Sequence, residues 1–124
     1  MNDKIIVVTS PDDVLQDGGR LLVVDLTEDQ MAVVSKALSE LDVFNRIVLY
    51  VWNSKDDYDW MLDKRLKSDL IIFNADSFDQ QLIGYMAAQP NSCYFGTLKN
   101  ISKVNDTAIN ELSQLVNIME KTLI

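Results

Sequence analysis

Four side chains stand where this sequence could do chemistry: Asp25, Asn53, Asn74 and Asp76. Each lies at the carboxyl end of an apolar run, RLLVVDL, RIVLYVW or DLIIFNA. In an open parallel sheet those ends share one rim, and ligands of α/β proteins bind there. Two carboxylates and two carboxamides on one rim could hold a small polar ligand or a hydrated Mg²⁺, because hard cations take oxygen ligands. Asp25 and Asp76 could also divide acid and base roles if one of them had a raised pKa. The same residue types cap helices and make turns. Their positions therefore fit two readings, a binding crevice or the ordinary polar ends of α/β units.

Other chemistry is restricted by what the chain lacks. It has no histidine, which removes the commonest general base and any triad built on one. With one cysteine and no histidine, a zinc site lacks its ligands. Cys93 opens the apolar stretch CYFGTL and reads as a buried structural thiol rather than a nucleophile. No G-x-G-x-x-G and no Walker lysine motif occurs, and Gly18-Gly19 precedes a strand rather than a helix. These absences predict neither a bound cofactor nor a catalytic metal.

The formal charge is −8, which repels nucleic acid phosphates. The densest basic stretch, KRLK, is flanked by Asp63 and Asp69 and reads as a solvated helix end. The acidity also suits an inhibitor of a basic partner, whose complex weakens with salt. No apolar run approaches the ~18 residues of a membrane span. MNDKIIVVTS has neither the apolar core nor the cleavage site of a signal peptide. A cytoplasmic protein without a membrane partner is expected.

The elements that would position these residues follow from periodicity. The chain of 124 residues suits a single α/β domain over 1–124. Strands are expected at 4–10, 20–26, 46–52, 69–75 and 93–98. The first four are apolar on both faces, as in parallel sheets between helical layers. Thr27 and Gln30 have capping-box spacing ahead of a stripe of Met31, Val34, Leu38 and Leu41. A second helix over 54–67 buries Tyr58, Met61, Leu62 and Leu66. A third, over 79–89, turns Leu82, Ile83, Tyr85 and Met86 inward. Asn105 or Asp106 caps the last, whose stripe is Ile109, Leu112, Leu115, Val116, Met119 and Leu123. The link between the first two strands is shorter than the usual parallel crossover, so the first strand is either a short-crossover partner or an antiparallel edge. The expected fold is a three-layer α/β domain with a mostly parallel five-stranded sheet, flavodoxin-like or Rossmann-like.

The segment KSDLIIFNADSFDQQLIGYMAAQP resembles the centre of the nucleoside 2-deoxyribosyltransferase-like family. That family has a strand after a Ser-Asp pair, an acidic loop, a helix reading Glu-Ile-Gly-Tyr-Ala, and a proline before the next strand. Ser68 and Asp69, Asp76 and Asp79, Ile83 to Tyr85, and Pro90 match those features within residues 67–90. The resemblance puts Leu82 where the family carries its nucleophilic glutamate. Leucine cannot attack an anomeric carbon. The family's glycine-bearing sugar loop also has no counterpart after KIIVVTS. The resemblance thus implies the frame of a nucleoside site without its acid.

Trp60 lies about 200° round the helix from Tyr58, on the polar face with Lys64 and Lys67. An exposed tryptophan beside lysines is typical of interface anchors. Ile118 and the apolar ending KTLI widen the face of the last helix, as self-association or docking would use. A small acidic chain of this kind is also similar in outline to accessory proteins of large tailed phages. These features predict a non-enzymatic interaction or assembly protein with a protein partner or a second copy of itself. The alternatives are a nucleoside- or nucleotide-binding domain and an acidic inhibitor. Trp60→Ala is expected to change the stability of the isolated chain by no more than about 0.5 kcal/mol while weakening a complex. A large loss in urea unfolding would put Trp60 in the core instead.

Overall fold

The apolar runs become strands because both of their faces can be buried at once. The computed structural model describes residues 5–9, 19–41, 46–53, 55, 68–77, 79–98 and 107–123. Among them are five strands: β1 (Ile5–Val8), β2 (Gly19–Val24), β3 (Ile47–Trp52), β4 (Leu70–Asn74) and β5 (Ser92–Phe95). All pairings are parallel, in the order β1-β3-β2-β4-β5. The register sets Val24 beside Trp52 on one side and Phe73 on the other.

Side chains alternate across the sheet and divide the core in two. Leu21, Leu49 and Ile72 face one way, and Leu22, Tyr50 and Phe73 the other. Helices α1 (Glu28–Ser39) and α3 (Leu112–Leu123) cover the first face with Val34, Leu38, Leu115 and Met119. Helix α2 (Gln80–Ala87) covers the second with Leu82, Ile83 and Met86. On that side the Phe73 and Tyr94 rings pack 5.6 Å apart at a tilt of 32°. The result is a three-layer α/β fold of the flavodoxin-like and Rossmann-like type. No helix among the described residues is long and apolar enough to cross a membrane.

The starts of α1 and α2 are local chemistry. Thr27 Oγ1 accepts from the Gln30 N–H at 3.2 Å, and Gln30 Oε1 accepts from the Thr27 N–H at 2.9 Å, closing the expected capping box. Asp79 Oδ1 accepts from the Leu82 N–H at 3.0 Å and caps α2.

Several expectations are corrected. β1 is a parallel strand at the sheet edge, paired with β3 rather than β2. It is not covered on both faces, since Val7 remains 56% exposed. β2 ends at Val24 because Asp25 turns away with φ 56°. β5 ends at Phe95, where Gly96 takes φ 89°. Tyr85 lies outward, 39% exposed, because α2 has only eight residues and its inner face is filled by Leu82, Ile83, Met86 and Ala87. The last helix begins at Leu112. The Tyr94 N–H donates to Thr107 O at 3.1 Å and the Ile109 N–H donates to Tyr94 O at 2.7 Å. A backbone committed to that bridge with β5 cannot also be helical. The expected helix over 54–67 and the caps at Asn105 and Asp106 fall outside the described residues, apart from Lys55.

Cys93 lies inside this core at 1% exposure. Burial pushes its thiol from 9.0 up to about 12, since low-dielectric surroundings disfavour the thiolate. Between those values the unfolded chain has lost the proton and the native chain keeps it. The thiol's contribution to stability is therefore complete below pH 9.0 and is lost as the pH rises toward about 12. Urea unfolding across that window should show a downward slope that is reduced in Cys93→Ala. An unchanged slope would assign the loss to other groups.

Candidate functional site

The chain order across the sheet reverses around β2. The connection through α1 carries the chain to β3 on one side of β2, and β4 then pairs on its other side. That reversal is a topological switch point, and the crevice of such a sheet lies outside its carboxyl ends. Asp25 leaves β2 there and Asn74 closes β4.

Three of the four expected residues are joined at this point, through the Asn74 amide and the backbones of Asp25 and Asp76. Asn74 Nδ2 donates to the Asp25 carbonyl oxygen at 3.1 Å, and Asn74 Oδ1 accepts from the Asp76 N–H at 3.0 Å. Ser77 Oγ donates to Asp25 Oδ2 at 2.8 Å. Asp76 Oδ1 accepts from the Thr97 N–H at 3.4 Å. The backbone is tied alongside, with the Ala75 N–H on Phe95 O at 2.8 Å and the Asp25 N–H on Trp52 O at 3.1 Å. Asn53 does not join them. Its Oδ1 accepts from the Lys55 N–H at 2.9 Å, a turn of its own loop.

This network explains two unusual backbone positions. Asp25 is a non-glycine residue at φ 56°, a conformation that costs ~1–2 kcal/mol for an L-residue and that Asp tolerates better than most. The bonds from Asn74 and Ser77 hold it there. Gly96 sits at φ 89°, and a Cβ at that position would strike the Asp76 carboxylate. Ser77, one of the polar residues that follow the fourth apolar run, and Gly96 are therefore site residues beyond the four expected. The signal for Gly96 was present, a glycine directly after an apolar run. Ser77 is buried at 8% exposure, and only its distance from Asp25 reveals its role.

What the arrangement can do is limited by how fully its groups are engaged. Both ends of the Asn74 amide, one oxygen of Asp25 and one of Asp76 are bonded within the protein. No three His, Cys, Asp or Glu side chains among the described residues come together to hold a metal ion. Leu82, at the position of the nucleophile in the resembled family, is 1% exposed within the core. Nothing lies within 4 Å of a Cβ built on Gly84, so close packing does not require that glycine. Trp60, Lys64 and Lys67, expected at an interface, lie outside the described residues.

Fold and rim together define a Rossmann-like α/β scaffold whose switch point is tied by hydrogen bonds among its own residues. Comparison with family models, with curated proteins and with solved structures finds no match to this chain.

Asn74→Ala removes two bonds at once and leaves the Asp25 carbonyl and the Asp76 N–H without their partner. A loss of about 1–3 kcal/mol is expected, measured by urea unfolding. Asn53→Ala, which among the described residues removes only the bond from the Lys55 N–H, should cost less. Equal losses at the two positions would show that the rim is not the joint described above.

Proposed function

We propose that this chain is a non-enzymatic interaction or assembly protein built on a nucleotide-binding-type α/β scaffold. The observation that carries this reading is the self-bonded rim. A catalytic or nucleotide-binding switch point needs polar groups directed at a ligand. Here the Asn74 amide bonds the Asp25 carbonyl and the Asp76 N–H, the Ser77 hydroxyl bonds the Asp25 carboxylate, and the Asp76 carboxylate accepts from the Thr97 N–H. Two further observations support it: Cys93 is buried as a neutral thiol, and the position of the resembled family's nucleophile holds the aliphatic Leu82. Fold alone does not fix function, so the reading leans on the rim chemistry.

Thermal unfolding against nucleosides, nucleotides, NAD, sugar phosphates and Mg²⁺ tests this, together with the solution mass from light scattering. The expected results are no shift with any of these ligands and a mass above the 14.1 kDa of one chain. A ligand at 100 times its Kd adds about 2.7 kcal/mol and raises the Tm by several degrees for a domain of this size. Such a shift, lost in Asp76→Ala, would overturn the proposal in favour of a ligand-binding rim.

A further inference from the structure

Away from the rim, α1 and the first turn of α3 leave a groove of about 400 Å³. Its floor is apolar: Val33 from α1, Phe95 from the end of β5, then Ile109 and Leu112. Val33, Phe95 and Leu112 are only half-buried, so the core does not use their full surface. The wall beside α3 is held by Gln114. Its Oε1 accepts from the Asn110 N–H at 2.9 Å and its Nε2 donates to Ala108 O at 2.7 Å. The groove is thus built before anything enters it.

Its charges define what fits. Lys36 and Glu111 both line the groove. Neither charged group has an ion-pair or hydrogen-bond partner among the described residues, and the two do not pair with each other. A simple carboxylate drawn to Lys36 would meet Glu111, and an amine drawn to Glu111 would meet Lys36. A nucleotide would bring several negative charges against Glu111 in a chain already at −8. A molecule carrying one charge of each sign complements both. The volume lies at the small end of the ~300–1,000 Å³ typical of ligand pockets. We propose that this groove binds a small zwitterion with an apolar body, an apolar amino acid or a dipeptide of such residues. Its carboxylate sits toward Lys36, its ammonium toward Glu111, and its side chain on Phe95 and Leu112.

The test is a titration of ¹⁵N-labelled protein with L-leucine, L-phenylalanine and leucyl-leucine, read by amide NMR shifts. Isocaproate and isoamylamine serve as single-charge controls. Saturable shifts at Val33, Phe95 and Leu112 are expected with the zwitterions, and weaker binding with either control. Lys36→Met and Glu111→Gln should each weaken binding about tenfold, the loss of one charge-assisted contact at an exposed site. Both side chains are exposed, so an unchanged thermal midpoint checks that each variant stays folded. Absence of shifts at those residues, isocaproate binding as tightly as leucine, or unchanged affinity in both variants overturns the proposal. The groove uses the Phe95 side chain, whereas the rim uses only its backbone carbonyl, and the two share no polar side chain, so failure here leaves the reading of the rim untouched.

Discussion

The rest of the molecule depends on the double burial of β2. Its backbone is bonded to β3 on one side and β4 on the other. Leu21, Leu22, Val23 and Val24 are each no more than 1% exposed. Burying four such side chains contributes roughly 1.5–3 kcal/mol apiece, and a polar group among them would lose its water without finding a partner. The middle of the strand can therefore carry no chemistry. Polar residues are confined to where the strand leaves the sheet, which is why Asp25 is the first hydrophilic side chain after Arg20.

That confinement shapes the rim. Several strand ends crowd into one place, and each brings backbone groups that have left the ladder. Asn74 resolves the crowding by serving two neighbours at once, the carbonyl of Asp25 and the N–H of Asp76. Asp25 can hold its left-handed backbone because Ser77 fixes the carboxylate at 2.8 Å. Asp76 in turn needs the space that Gly96 leaves open. The amide spends one N–H and one oxygen lone pair on these two bonds. In this chain these bonds join β2, β4 and β5, and so contribute to stability.

How much of this could be read beforehand depends on whether the cause was local. The five strands follow from short β-branched runs, and the start of α1 follows from Thr27 and Gln30 alone. The convergence of Asp25, Asn74 and Asp76 follows from the strand ends once the sheet is parallel. Asn53 has the same residue type and position as Asn74, yet its carboxamide finds the Lys55 N–H two residues on. Nothing in its spacing distinguishes it. The direction of β1 required knowing that its partner is β3. Tyr85 was placed inward by period alone, which gives the face of a short helix but not the width of the sheet beneath it.

The start of α3 is the most instructive of these differences, because its cause is distant in sequence. Ile109 has the helical spacing of Leu112 and Met119, and periodicity extends the helix to include it. Tyr94, fifteen positions earlier, captures the backbone of Thr107 and Ile109 instead. The capture delays the helix until Leu112. Phe95 at the end of β5 remains only partly buried. The groove between Val33, Phe95 and Leu112 is thus a product of the same long-range pairing that moved the helix boundary. A continuous helix through Ile109 would have placed different side chains over Phe95 and brought Glu111 into a helical turn. The groove's place beside the start of α3 thus goes back to the bridge between β5 and the segment after it.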